Sequence, residues 1–175
     1  MAGTVVSALA SGIRDNRNRG SVGDYLTEKI TQGSRLSVVS AYFTIYAYEA
    51  LAGPLSSIES MRFLFGEPRF LKSLDPTKTD KKAFKIEDER LELKNRLEQK
   101  RIARECADWI RDKAEVRSVK QSSLMHGKMY HIDSNGVEEA ILGSSNFTMR
   151  GLGLCPHGNN IELNLVVDSS RDRRD

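Results

Sequence analysis

The fold is decided by residues 124–133, which read LMHGKMYHID. Their apolar residues predict a strand from Leu124 to Ile132. Alternate side chains of a strand share a face, so we expect His126, Lys128 and Tyr130 on the same side of the sheet. A neutral imidazole is a nucleophile near neutral pH, and an ammonium group beside it attracts phosphate oxygens. The pair therefore predicts attack on a phosphate; the alternative is a half-buried strand whose histidine and lysine merely face solvent.

A hairpin and a polar turn follow this strand. Asp133-Ser134-Asn135-Gly136 is typical of a hairpin turn, and 138–142 returns as the partner strand. The hairpin brings Gly143-Ser144-Ser145-Asn146 back to the His126 end. There Gly143 permits close approach of a phosphate, and Ser144, Asn146 and the backbone N–H groups of a following helical segment can donate to its oxygens. The alternative is that these serines and the asparagine only cap that helix.

The spacing of His126, Lys128 and Asp133 (His-x-Lys-x4-Asp), followed by Gly-Ser-x-Asn and then by Glu162, resembles the signature of the phospholipase D superfamily, the HKD motif. The motif-bearing part is about the last third of the chain, and the first two-thirds match only in their order of strands and helices. The resemblance implies an α/β fold with a phospholipase D-like mixed, mostly parallel sheet flanked by helices on both faces, an α-β-α sandwich. It is specific for fold and phosphoryl transfer, and much less specific for substrate.

The resemblance also implies a two-step in-line displacement that needs no metal and no cofactor. His126 would attack phosphorus to form a phosphohistidine, while a second histidine protonates the leaving oxygen. Lys128 and Asn146 would stabilise the equatorial oxygens. Glu162, on a predicted strand 159–167, would hold the other imidazole nitrogen, and Asn160 on the same face would assist it. The alternative for Glu162 is an exposed strand carboxylate.

Other polar residues of this region are expected to be structural. Asp133 is out of phase with His126 and Lys128, and it fits the first position of a turn. Tyr42 and Tyr130 could line the pocket, but each is more typical of a core.

The implied mechanism needs two histidines, and the chain supplies one motif. A homodimer with its two-fold axis through the active site supplies the second, as in the single-motif bacterial nucleases of the superfamily; otherwise a second motif lies in further sequence. We expect an endonuclease acting on nucleic acid, DNA rather than RNA, similar to nuclease domains that precede a helicase-type ATPase. The alternatives are phospholipid hydrolysis or head-group transfer, and a catalytically silent DNA-binding or dimerisation module.

Length and composition fit one globular domain. We expect residues 1–168 to form the catalytic domain and 169–175 to be a charged tail, either the start of a linker or a truncation point. The net charge of +3 permits a nucleic-acid partner without requiring one. Cys106 and Cys155 suggest no disulfide framework, so a reducing cytoplasm is expected. His157 near Cys155 has no paired-ligand spacing, so no zinc site is expected. No signal peptide or membrane-spanning stretch is indicated.

The upstream sequence predicts the remaining elements. Ser21 or Asp24 can begin a helix to about Thr31, and a strand follows at 35–43. A helix at 44–51, stopped by Gly53-Pro54, then leads to a strand at 61–65; this order implies a parallel pair with a right-handed crossover.

The middle of the chain, about 86–113, predicts a helix with Ile102, Cys106, Trp109 and Ile110 on one face. A basic face on this helix could track a phosphate backbone, but interleaved acids favour a solvated surface. That face comprises Lys94, Arg96, Lys100, Arg101 and Arg104. A strand is expected to begin at 116–119.

Overall fold

The computed structural model describes residues 12–66, 96–119 and 125–168. These ranges contain seven strands: β1 Ile13–Arg14, β2 Arg35–Ser40, β3 Ser60–Phe65, β4 Ala114–Ser118, β5 Lys128–Ser134, β6 Val137–Gly143 and β7 Asn164–Asp168. They also contain five helices: α1 Val22–Lys29, α2 Ile45–Ala50, α3 Ala52–Ser57, α4 Arg96–Lys113 and α5 Met149–Leu152. None of the helices in these ranges is long and apolar enough to cross a membrane.

All seven strands form one sheet in the order β1-β7-β6-β5-β2-β3-β4. The expected α/β fold with a mixed sheet is confirmed. Its parallel part is β2-β3-β4, and the other four pairings are antiparallel, which corrects the expected majority of parallel pairs. For β5 and β6 the reason is their connection: a parallel pair needs a long crossover, whereas a two-residue turn permits only antiparallel pairing.

One face of the sheet carries the core. Side chains at alternate positions of the central strands are buried on this face, where the described helices pack. They include Leu36, Val38, Met61, Phe63, Tyr130, Ile132 and Ile141. On the other face, Leu142 and Leu165 are 43% and 53% exposed. The second helical layer that we expected over that face is not among the described residues.

Helix boundaries follow local chemistry. Ser21 caps α1, as predicted, by accepting a hydrogen bond from the Asp24 amide at 2.9 Å. Thr44 caps α2 in the same way. Gly53-Pro54 does not end the helical region, contrary to expectation: α3 includes both residues, because a proline in the first turn of a helix gives up no hydrogen bond.

The amphipathic pattern of α4 is confirmed. Ile102, Cys106 and Trp109 are buried, and the Trp109 indole donates to the Leu55 carbonyl at 3.0 Å. On the polar side, Arg101 forms ion pairs with acids of α4 and α2, so it lies in a network of mixed charge. Lys94 of the predicted basic face lies outside the described residues, as do Leu124, the predicted helical stretch before Arg96, and the tail 169–175.

Candidate active site

The candidate site lies at one edge of the sheet, where β2 and β6 end and β5 and β7 begin. Antiparallel register sets the arrangement: Val39 pairs with Met129, and Gly143 pairs with both Lys128 and Asn164. Four strands from distant parts of the sequence therefore deliver polar residues to one place.

His126 and Lys128 are in contact, but strand alternation is not the cause. β5 begins at Lys128, so His126 lies in the segment before it, contrary to the predicted strand from Leu124. The Met125 amide donates to the Gly66 carbonyl at 3.1 Å, which fixes this segment against the end of β3. The Lys128 ammonium reaches back to the carbonyl of His126 at 2.7 Å and to its Nδ1 at 3.2 Å.

The hydrogen bond within this pair decides which nitrogen of His126 accepts. Lys128 is only 4% exposed, and burial lowers the pKa of its ammonium, while the charge of Glu162 acts in the opposite direction. An ammonium can only donate, so Nδ1 of His126 accepts and the neutral ring carries its proton on Nε2. The contact with Lys128 therefore occupies Nδ1 and leaves Nε2 as the N–H side of the ring.

Glu162 lies beside the site but does not hold His126. Its segment precedes β7, which begins at Asn164, so it is not within a strand as predicted. Its carboxylate accepts hydrogen bonds from the Ser144 hydroxyl and, at 3.1 Å, from the Asn160 side-chain amide. No hydrogen bond joins Glu162 to His126 within 12–66, 96–119 and 125–168. Asn160 does contact Glu162, and its role in assisting Glu162 stays a prediction.

The turn after β6 is held tightly by the protein. A Cβ atom at Gly143 would lie 2.7 Å from the Asn164 Cα, so glycine is needed here for packing against β7 rather than for approach of a phosphate. The amide of Ser144 donates to the Leu163 carbonyl at 3.2 Å, and that of Ser145 donates to the Asn164 side chain at 3.3 Å. These two N–H groups are therefore already used within the protein. The expectation that N–H groups at the start of the following helix bind phosphate stays a prediction.

The hydroxyl of Ser144 is also engaged. It donates to Glu162 and accepts from the Leu163 amide at 3.1 Å, so its proton is already shared with the carboxylate. The helix that follows the turn is capped by Thr148, not by Ser144, Ser145 or Asn146. The capping alternative for these residues is therefore wrong.

Asn146 is the residue of the turn that keeps unused donors. Its Oδ1 accepts from the Ala41 amide at 3.1 Å and lies 3.2 Å from the Ser40 hydroxyl. The amide of Phe147 donates to the same Ser40 hydroxyl at 3.0 Å. The Nδ2 group of Asn146 has no acceptor in the described part of the chain, so both its N–H bonds are available to an anion.

Two residues of the site were missed from the sequence. Asn164, 1% exposed, accepts from the Ser145 amide and donates to the Ser145 hydroxyl at 3.0 Å. Its alternation with Asn160 and Glu162 was a signal that could have identified it. Ser40, fully buried, gave no such signal, because a serine at a strand end is common.

The other predicted residues lie as follows. Asp133 is at the far end of β5, where its carboxylate binds Arg35 at 2.5 Å and the Gly136 amide at 3.2 Å. Tyr130 is buried, and its hydroxyl donates to the Ser145 carbonyl at 2.9 Å, so it belongs to the core and supports the turn. Tyr42 is exposed. No cluster of metal-ligating side chains occurs among the residues that the structure describes.

Comparison with known families identifies the superfamily of the chain. The family described as "Cardiolipin synthase, PLD-like domain" matches residues 64–173, which is well over half of the chain and includes every predicted site residue except Tyr42. The chain therefore belongs to the phospholipase D superfamily. Phosphodiester chemistry is the activity that this membership indicates. No curated protein gives a significant match.

Proposed function

We propose that the protein is a metal-independent phosphodiesterase that cleaves nucleic acid as an endonuclease through a phosphohistidine intermediate. One observation carries the proposal: the buried ammonium of Lys128 lies 3.2 Å from Nδ1 of the exposed His126. Membership of a phosphodiester-handling superfamily supports it. A buried cation beside an accessible imidazole is the combination that phosphoryl transfer to histidine requires.

The residues have distinct roles in the proposed reaction. Nε2 of His126 attacks phosphorus, and the bond to the leaving oxygen breaks as that oxygen takes a proton from a second histidine. Lys128 and Nδ2 of Asn146 donate to the non-bridging oxygens. Before the attack, the ring proton of His126 moves from Nε2 to Nδ1 and Lys128 turns from Nδ1 to the phosphate. Glu162 leaves its contact with Ser144 to accept a hydrogen bond from Nδ1–H, which stabilises the imidazolium. Water, activated by the second histidine, then hydrolyses the phosphohistidine.

The second histidine comes, in this proposal, from His126 of a second copy of the chain. A two-fold axis through the site would place the two imidazoles on opposite sides of one phosphorus atom, which in-line displacement demands. The exposure of His126 supports this arrangement, because the imidazole is accessible to another protomer.

Arg150 supports a nucleic-acid substrate. Its carbonyl accepts from the Asn160 amide at 3.1 Å, so this exposed residue lies next to the Glu162 side of the site. It has no ion-pair partner among the described residues. In this proposal the Arg150 guanidinium binds phosphates that flank the scissile bond, and the net charge of +3 acts in the same direction. DNA is the substrate we propose, in a cytoplasmic protein.

A second candidate is a phospholipid substrate. Ile161 and Leu163 flank Glu162, and they are 69% and 70% exposed. Exposed apolar side chains beside a phosphodiester site can contact acyl chains, and the matching family is named for a lipid enzyme.

The deciding experiment incubates the protein with supercoiled plasmid in EDTA. We expect nicking that His126→Ala reduces by at least about 10²-fold, the range for loss of an acid–base or nucleophilic group. The matched control is His131→Ala, on β5 beyond the site, which should retain wild-type activity. Equal loss in both variants, or no cleavage by the wild-type protein, would contradict the nuclease.

A parallel assay separates the alternatives. Vesicles of phosphatidylcholine and phosphatidylglycerol are incubated with the same three proteins, and release of head group is measured. Release that depends on His126 without plasmid cleavage would replace the nuclease with the lipid enzyme. DNA binding without either activity would identify a silent module.

A further inference from the structure

Ser40 is a buried residue that contacts the turn after β6 at the candidate site. It ends β2 and is fully buried, so it cannot touch a substrate. Its hydroxyl accepts from the Phe147 amide at 3.0 Å and lies 3.2 Å from Oδ1 of Asn146. It therefore contacts both the side chain of Asn146 and the main chain that follows it.

These contacts determine which way the Asn146 carboxamide faces. The Ala41 amide is a donor only, so the atom opposite it must be the carboxamide oxygen, and the NH₂ group must point the other way. The hydroxyl of Ser40 also lies in contact with that of Tyr130. Its proton can go to the Tyr42 carbonyl at 2.7 Å or to Asn146 Oδ1. Either bond keeps the carboxamide oxygen of Asn146 in place. The bond to Tyr42 closes the turn that presents the Ala41 amide, and the bond to Asn146 holds the oxygen directly.

We propose that Ser40 is a positioning residue: it fixes Asn146 so that its NH₂ group is turned towards the phosphate. The proposal rests on the proposed function for its catalytic consequence, but the orientation of Asn146 can be tested without activity. Without the hydroxyl, the carboxamide keeps one of its two hydrogen-bond partners, and the Phe147 amide loses its acceptor. The NH₂ group then samples orientations in which it does not meet a phosphate oxygen.

Ser34 offers a matched control. It is also fully buried, lies just before β2, and uses its hydroxyl in a similar way, accepting from the Thr31 amide at 2.9 Å and contacting Ser134 at 2.7 Å. Ser34→Ala removes an equally buried hydroxyl at the opposite end of the same strand. Any effect specific to Ser40→Ala is therefore not a general cost of losing a buried serine.

The kinetic test compares Ser40→Ala with Ser34→Ala at equal folded fraction. A misplaced catalytic contact can cost about 10²-fold, so we expect kcat to fall by about 10- to 100-fold in Ser40→Ala and by less than about twofold in Ser34→Ala. In an Asn146→Ala background, Ser40→Ala should add no further loss, because its effect passes through Asn146. Ser40→Cys keeps the shape and a weak hydrogen-bonding group, so its kcat should lie between those of the wild type and Ser40→Ala. This variant replaces Ser40→Ala in the comparison if Ser40→Ala does not fold.

The structural test records the side-chain NH₂ resonances of ¹⁵N-labelled protein, with Asn146 assigned from their loss in Asn146→Ala. We expect one sharp pair in the wild type and in Ser34→Ala, and shifted or broadened signals in Ser40→Ala. Unchanged signals, or an additive loss in the double variant, would overturn the positioning role. A wild-type protein that cleaves nothing while its Asn146 signals respond to Ser40→Ala would overturn the proposed function alone.

Discussion

Lys128 is a charged residue in a place where a charge is costly. The residue is 4% exposed, and its ammonium bonds only to His126 among the described residues. Burial disfavours the charged form, which is why the pKa of Lys128 is lowered. The same burial removes the water that would screen the charge, so an incoming phosphate is attracted more strongly than by a lysine in solvent.

Replacing Lys128 should therefore separate stability from activity. Because the folded-state pKa lies below the unfolded value, the charge destabilises the fold at neutral pH, and this penalty is relieved as pH rises through the folded pKa. We expect Lys128→Met to raise the free energy of unfolding at about pH 7 by up to about 1 kcal/mol, and to lower activity by more than about 10²-fold. The gain should shrink towards about pH 10. Urea denaturation at both pH values measures it.

The control for that variant is Lys29→Met. Lys29 bonds Glu139 at 2.8 Å, which raises the pKa of Lys29, so its charge stabilises the fold below the unfolded pKa. At neutral pH, Lys29→Met should lower the free energy of unfolding, whereas Lys128→Met should raise it. A loss of more than about 1 kcal/mol in Lys128→Met at neutral pH would show that the ammonium is structural.

Asp133 should matter for folding and not for catalysis. The hydrogen bond from Arg35, together with the Gly136 amide, holds the pKa of the Asp133 carboxyl below its usual value. The stabilisation is present above the unfolded value of 3.8 and is lost as pH falls through the folded pKa. We expect Asp133→Asn to keep kcat and to show a weaker dependence of stability on acid pH, measured by unfolding at several pH values. A loss of kcat beyond about 10²-fold at full folding would instead place Asp133 in the reaction.

For single residues, the sequence was a better guide to which residues lie near the site than to what each of them contacts. His126 and Lys128 were predicted to lie together on one face of a strand, and they are in contact for another reason: the Lys128 side chain reaches back to the segment before β5. The partner of Glu162 could not be predicted, because it depends on how the segment before β7 meets the turn after β6. Ser40 could not be predicted for the same reason: its contacts lie about a hundred residues away in sequence.

Among the elements, the β5–β6 hairpin was predicted most accurately. Asn135 and Gly136 form a two-residue turn with φ of 55° and 83°, a conformation that asparagine and glycine adopt far more readily than other residues. The chemistry of such a turn is local, so residue types alone determine it. The start of β5 was misplaced because apolar residues before Lys128 look like a strand, although a contact with Gly66 holds them outside it.

The hairpin provides a paired test of backbone conformation. Gly136→Ala forces a Cβ into a left-handed conformation and should lower the free energy of unfolding by about 1 kcal/mol. Gly53→Ala, in α3 with no neighbour within 4 Å of the added Cβ, should raise it by about 0.5 kcal/mol. Thermal and urea unfolding measure both. The same sign for both variants would contradict the assigned backbone conformations.

For the whole molecule, the proposed dimer makes the sharpest prediction. If each cleavage needs His126 from two copies, a protomer carrying His126→Ala inactivates its partner. When wild-type and His126→Ala chains are unfolded together in equal amounts and refolded, only wild-type pairs are active, so activity should fall to about a quarter. A matched mixture with His131→Ala should keep full activity.

A fall to one half would instead indicate protomers that act independently. Sedimentation at several concentrations reports the assembly directly, and a strict monomer with full activity would contradict the shared site.

The meeting of four strand ends at one edge has a consequence for refolding. Ser40, Lys128, Gly143 and Asn164 come together only after the sheet has closed over more than a hundred residues of intervening chain. Contacts so remote in sequence form late, whereas short helices and the hairpin form early. During refolding, the helical circular-dichroism signal should therefore return well before the proposed phosphodiesterase activity, which should be the last property to recover.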